Sequence, residues 1–140
     1  MQSELEVLKK NIKENSEDQI QIFNNCHLKN SMEFRKNILR FSVMNRFFDL
    51  ANYLINHQEK LIYDIIDVVN LDNIDKLNIK FDLYQNIHYL MDKIIYLNKS
   101  DLFIHILDKL IIIYFNLIKK KKNILKNKKT ISSWKYNKIL

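Results

Sequence analysis

The chain contains no glycine, no proline and a single alanine among its 140 residues. Without glycine it cannot build a Walker-type phosphate loop, a GxGxxG dinucleotide turn, a nucleophile elbow or an EF-hand loop, since each needs backbone conformations that only glycine adopts cheaply. Its one cysteine, Cys26, excludes an internal disulfide and points to a reducing compartment or to indifference to redox. The polar, acidic beginning has no secretory pattern, and neither end carries a lipidation motif, so a soluble intracellular protein is expected. Arginine supplies only 3 of the 23 basic residues, leaving little capacity for bidentate recognition of bases or carboxylates.

What is present is concentrated in four residue types. Ile (22), Leu (18), Lys (20) and Asn (18) fill more than half of the positions. Codons for Lys, Asn and Ile are A/T-rich and those for Gly, Pro and Ala are G/C-rich, so an A/T-rich genome accounts for the skew. At 47% hydrophobic and 11% aromatic the chain still has material for a core. A chain of this length buries roughly 69% of its unfolded surface, enough for independent folding.

The net charge of +7 is unevenly placed. Residues 119–140 hold nine lysines and no acidic residue, whereas residues 1–118 hold 14 basic and 16 acidic groups. The division expected is a single helical domain over 1–118 and a Lys-rich tail over 119–140, disordered or forming a short terminal helix. A near-neutral body with a strongly basic arm is the layout of a chain that meets an anionic partner.

Helix starts are indicated by capping-box patterns at Ser3 with Glu6, Ser16 with Gln19, and Asn30 with Glu33. They predict helices over about 4–14, 17–28 and 31–57. The third carries Phe34, Ile38, Phe41, Met44, Phe48, Ala51, Leu54 and Ile55 at steps of three and four, with a break near Arg46 as an alternative to one long helix. Leu61, Ile62, Ile65 and Val69 continue the period through a bend or a fresh helix. Residues 70–82 read as a loop, because Asp72, Asn73, Asp75 and Asn78 cluster where the apolar pattern weakens. Leu83, Ile87, Leu90, Ile94 and Leu97 then predict another amphipathic helix, and Ser100 with Asp101 caps the next. Residues 102–118 are apolar at 13 of 17 positions. His105, Asp108, Lys109 and Asn116 argue against a membrane span, at about 2.5–3.5 kcal/mol per charge near a bilayer centre.

The fold class expected is all-α, a compact bundle of five or six helices with a basic C-terminal tail. Its core is centred on Phe41, Phe48, Leu54, Ile62, Ile65, Leu90, Ile94, Leu107 and Leu110. Two family patterns overlay residues 38–69. Leu39, Ser42, Val43, Leu50, Ala51, Leu54 and Ile55 resemble an ankyrin-type helix pair, with Arg46 and Gln58 where that family has turn glycines. A second such pair begins 52 residues later, against an ankyrin period of about 33. Phe41, Met44, Phe48, Ala51, Ile55, Gln58, Ile62, Ile65 and Val69 resemble the layers of a syntaxin-like SNARE helix, a series that fails at Asp72 and Lys76. Two unrelated families fitting the same stretch identify neither.

Candidate chemistry is sparse. His27, His57, His88 and His105 include no pair at i,i+4 spacing, and Cys26 beside His27 lacks zinc-finger partners. His88 with Asp92 and His105 with Asp108 can pair on one helix, but read as ordinary surface histidines. Asp64, Asp67, Asp72 and Asp75 offer oxygen ligands for a hard cation and read more simply as solvated loop acids. No metal, cofactor or catalytic residue is expected, and an enzyme is the least favoured class. The sites expected to matter are Lys119, Lys120, Lys121, Lys122, Lys126, Lys128, Lys129, Trp134, Lys135 and Lys138. Lysines neutralise phosphates while an aromatic ring stacks on unpaired bases, so the arm suits nucleic acid or another anionic partner, bound without sequence preference. The alternatives are a helical protein–protein adaptor with an incidental tail, or a peripheral protein whose Trp134, Ile139 and Leu140 anchor it at an anionic membrane surface.

Overall fold

The computed structural model describes residues 3–58, 60–80 and 87–139, with 128–139 as backbone. All secondary structure among the described residues is helical. It comprises α1 (Glu4–Glu14), α2 (Gln19–Asn24), α3 (Met32–Met44), α4 (Phe48–His57), α5 (Leu61–Ile65), 3₁₀ turns at Ile66–Val68 and Ile74–Lys76, α6 (Ile87–Tyr96) and α7 (Ser100–Ile139). The chain divides into two compact units, residues 1–103 and 104–140.

In the first unit, α1 begins where the capping pattern places it: Ser3 Oγ accepts from the Glu6 N–H at 3.2 Å. The other two patterns resolve differently. At α2 the preceding Asp18 makes no side-chain cap, and Gln19 is buried with its amide donating to the Ile12 carbonyl at 3.1 Å. At α3 the cap is Ser31, whose Oγ faces the Phe34 N–H at 3.4 Å, and not Asn30. Asn30 and Ser31 are adjacent residues that can each cap; the structure uses Ser31, which is extended (φ −74°, ψ 123°), without the reciprocal carboxylate of a capping box because Phe34 stands three residues on.

Of the two courses expected over 31–57, the structure takes the one with a break near Arg46, at residues 45–47. Arg46 adopts φ 62°, with Phe47 N–H donating to Ser42 O at 2.8 Å and Arg46 N–H to Val43 O at 3.2 Å. This is a Schellman ending, which closes the orphan carbonyls of α3 and turns the chain into α4. A second one ends α6: Asn98 has φ 58°, and the Lys99 N–H donates to Ile94 O at 3.1 Å. Arg46 and Asn98 thus occupy the left-handed positions where glycine is usual, at a cost of about 1 kcal/mol or more for a residue with a β-carbon. Asparagine tolerates the position better than arginine.

The core of this unit collects one stripe from each helix. Ile12, Phe23, Ile38, Leu39, Leu50, Leu54, Ile55, Ile62, Ile65, Ile66, Leu90 and Ile94 are buried. Fully burying one such side chain contributes about 1.5–3 kcal/mol. Leu54, Ile62, Ile65, Leu90 and Ile94 are therefore placed as expected. Three of the other expected core residues lie elsewhere: Phe41 and Phe48 are only half-buried, and Leu107 is exposed. Phe41 packs edge-on against Phe47 with ring centroids 5.9 Å apart, and the Arg46 guanidinium stacks 5.1 Å over Phe48. Both rings thus flank the break in the helix. Leu110 is likewise only partly covered.

The residues of the helix-pair overlay, Leu39, Ser42, Val43, Leu50, Ala51, Leu54 and Ile55, are all buried, and so are Phe34 and Ile38, which lie outside it. A continuous layer series through Met44 does not form, since Met44 is exposed and the chain turns after it.

Of the loop expected over 70–82, residues 70–80 form turns, a 3₁₀ turn among them, and an extended piece, and 81 and 82 lie outside the described residues. The Asn70 side chain accepts from Asp72 N–H and Asn73 N–H, and Asn73 returns a bond to the Val68 carbonyl at 3.0 Å. Asn52 of α4 then holds the extended piece beyond, donating to Lys76 O at 3.0 Å and accepting from Asn78 N–H at 2.8 Å. Leu83, expected to open the following helix, lies outside the described residues; the helix is described from Ile87.

The second unit belongs to α7. No residue between Ser100 and Ile139 interrupts the helix, so the segment expected over 102–118 and the Lys-rich region share one axis.

Candidate functional site

Two groups of charged residues were singled out by pattern, the aspartates of 64–75 and the lysines from 119 onward. The structure assigns Asp64 and Asp67 of the first to the architecture of the body. α5 and the 3₁₀ turn after it are short, so most of their carbonyls lack intrahelical partners. Cations supply them. Arg40 of α3 pairs with the Asp67 carboxylate and donates to Asp64 O at 2.7 Å. Lys36 lies 3.6 Å from the Asp64 carboxylate. From α6, Lys93 Nζ donates to Tyr63 O at 2.6 Å and stands 4.3 Å over the Tyr63 ring.

Lys99 completes this collar, its ammonium converging on Ile66 O, Asp67 O and Val69 O at 3.0, 2.8 and 2.6 Å. Burial lowers its pKa from the ordinary lysine value, while the nearby Asp67 and Asp101 charges act in the opposite direction. Asp64 and Asp67 are accordingly engaged by Lys36 and Arg40. Asp72 sits in the Asn70 turn, where its N–H is bound.

Among the described residues no group of three His, Cys, Asp or Glu side chains could hold a metal ion. One histidine contact among the described residues that spacing did not indicate is His27 Nε2 with the Glu4 carboxylate at 3.0 Å. It borders an open cleft of about 450 Å³ that Cys26 also lines. Both partners of this pair are exposed, and such a pair contributes about 0–1 kcal/mol. Only the tertiary fold brings α1 against the turn after α2, so no local pattern could have shown it.

The lysine group lies on α7. Lys119, Lys120, Lys121, Lys122 and Lys126 are all exposed. Consecutive helical residues project at about 100° intervals, so Lys119–Lys122 encircle the axis. Lys126 returns to the side of Lys119 and Lys122. Lys128, Lys129, Lys135 and Lys138 continue on the same helical backbone; their side chains and that of Trp134 lie outside the described residues. The last acidic residue in the sequence is Asp108, so residues 109–140 contain no carboxylate side chain. Like charges three and four apart cost an isolated helix about 0.2–0.5 kcal/mol per pair. A bound polyanion would relieve that repulsion.

Toward its beginning α7 is apolar on most of its circumference, with Ile112, Tyr114, Phe115 and Leu117 all more than half exposed. Even so, among the described residues no helix is long and apolar enough to cross a membrane. No protein-family model, curated protein or solved structure matches the chain.

Proposed function

We propose that the protein is a non-enzymatic interaction module, a body of five or six bundled helices bearing a Lys-rich C-terminal arm that contacts nucleic acid without sequence preference. The observation that carries this reading is the exposed ring of Lys119–Lys122 on a helix with no acidic residue beyond Asp108. A cationic rod presents charge to phosphates whatever its rotation about its own axis. An interfacial membrane helix needs its basic and apolar faces segregated, and a ring of lysines does not segregate them. Lysine ammoniums act as point charges, which favours phosphate contact over base reading.

The test is fluorescence anisotropy with duplex and single-stranded oligonucleotides of scrambled sequence across a salt series. With six or more phosphates engaged, affinity falls by about 10³–10⁵ between roughly 50 and 200 mM salt, equally for unrelated sequences. Removing residues 119–140 abolishes binding. Binding that survives the removal, or that is insensitive to salt, refutes the reading.

A second reading, a helical adaptor for another protein, is favoured by the uncovered apolar side chains of α7. It predicts that a chain lacking residues 119–140 recovers a stoichiometric protein partner.

A further inference from the structure

The apolar part of α7 has an order that its composition alone does not reveal. Ile104, Leu107, Ile111, Tyr114 and Ile118 recur at steps of three, four, three and four, the a/d seam of a heptad repeat. Ile104, Leu107, Ile111 and Tyr114 are 58%, 40%, 42% and 64% exposed, and Ile118 is partly so. A second helix fits this period, because its side chains fill the spaces between successive seam residues. We infer that this seam is a docking surface for α7 of a second copy of the chain, the two helices running antiparallel.

Area supports a helix of this size as occupant. The five seam residues, with Phe115 and Leu117 on the flanking positions, offer roughly 100 Å² each. That is roughly 700 Å² per copy, close to the ~800 Å² per partner of a standard stable interface.

Direction follows from charge. The next seam position after Ile118 is Lys121, within the ring Lys119–Lys122. A parallel pair sets Lys121 against Lys121 and stacks the two rings together. An antiparallel pair in which Leu107 meets Ile118 and Ile111 meets Tyr114 sets Lys121 beside Ile104 of the other copy. The residues one turn before and one turn after Ile104 on that face are Asp101 and Asp108, both exposed. Each Lys121 ammonium then enters a site bounded by two carboxylates, its aliphatic stem lying along Ile104. The remaining lysines leave at opposite ends of the pair. This inference does not depend on the nucleic-acid reading, since it concerns the seam and can be measured with no nucleic acid present.

The experiment is analytical ultracentrifugation of the nuclease-treated full chain at physiological salt. The expected mass is twice 17.1 kDa, reverting to the monomer in Ile111→Glu. The decisive variant is Lys121→Glu, which sits on the surface and leaves the apolar seam intact. In the antiparallel pair it faces two aspartates and raises the dissociation constant at least about tenfold, and adding Asp101→Lys restores it. In a parallel pair the same change relieves repulsion and tightens association. Disulfide trapping reads the direction independently: in a Cys26→Ser background, Leu107→Cys chains mixed with Ile118→Cys chains give a mixed disulfide. A monomer at every concentration, tightening by Lys121→Glu, or 107-to-107 trapping without the mixed product overturns the inference. A monomer that binds phosphatidylserine-containing vesicles through Ile111 and Tyr114 also overturns it, in favour of lipid.

Discussion

Replacing Lys99 by methionine keeps the length of the side chain and removes the ammonium that serves Ile66 O, Asp67 O and Val69 O. Hydrogen bonds to a charged donor contribute about 1.5–3 kcal/mol each, but these three share one ammonium, whose dehydration offsets part of the gain. The Asp67 carbonyl belongs to an exposed residue and regains water after substitution. The other two lie in partly buried surroundings, and leaving them unpaired costs about 1 kcal/mol each. Loss of a cation at the end of the 3₁₀ turn adds about 0.5 kcal/mol. The expected loss is therefore about 2–3 kcal/mol, or roughly 10–20 °C in melting temperature for a unit of this size.

Urea denaturation of the full chain followed by far-UV circular dichroism measures this loss. Lys99→Arg should recover less than half of it, because a planar guanidinium cannot aim three donors at one small cluster of carbonyls. The lowered pKa adds a pH signature. Between the folded-state value and 10.5 the unfolded chain binds more protons at this site, so stability rises with pH across that interval: the neutral amine, unlike methionine, keeps N–H donors for the carbonyls and no longer bears the dehydration of the charge. The rise is absent from Lys99→Met. A loss below about 0.5 kcal/mol, within the range of ordinary surface substitutions, would refute the clamp.

At Arg46 two substitutions should act with opposite sign in the same urea assay. Arg46→Gly relieves the left-handed strain and stabilises by about 0.5 kcal/mol after the entropy cost of glycine, whereas Arg46→Ile destabilises by about 1–2 kcal/mol. Asn52→Ala removes both bonds to the 76–78 segment and should cost about 1–2 kcal/mol, with faster amide exchange at Asn78 seen by NMR. Arg40→Met frees Asp67 and should cost about 1 kcal/mol, an effect that shrinks when the wild type is compared with it at high salt. Polyphosphate added to the full chain should raise ellipticity at the helix band as lysine repulsion on α7 is relieved, and should leave a chain lacking residues 119–140 unchanged.

The parts of the fold legible in the sequence were those with a local cause. Ser3 caps α1 because the hydroxyl and the N–H it binds are three residues apart. The stripe Leu54, Ile62, Ile65, Leu90, Ile94 is buried because periodicity of three and four is itself the geometry of a helix face. The break at Arg46 carried no glycine to announce it, so periodicity read through it as helix with a break only as an alternative. The collar around α5 was illegible for another reason. Lys99 meets carbonyls 30–33 positions earlier and Asn52 meets backbone 24–26 positions later, contacts of side chain to main chain that leave no residue pattern at either end. Asp64 and Asp67 drew notice as clustered carboxylates, and the cations that engage them, Lys36 and Arg40, lay in a different helix. Leu107 was assigned to the core because α7 is apolar almost all round, a composition that marks a buried helix and a helix awaiting a partner alike.

The unbroken course of α7 turns the lysine arm into a ruler. From Lys119 to Ile139 the helix measures about 30 Å at 1.5 Å per residue, a length that a flexible tail of the same composition would not keep. Laid along a duplex at 3.4 Å per base step, it covers roughly nine base pairs. If the arm binds nucleic acid as proposed, titration to saturation on long DNA ends at a fixed occluded length for each chain, whereas a disordered arm with the same nine lysines would crowd more closely as protein is added.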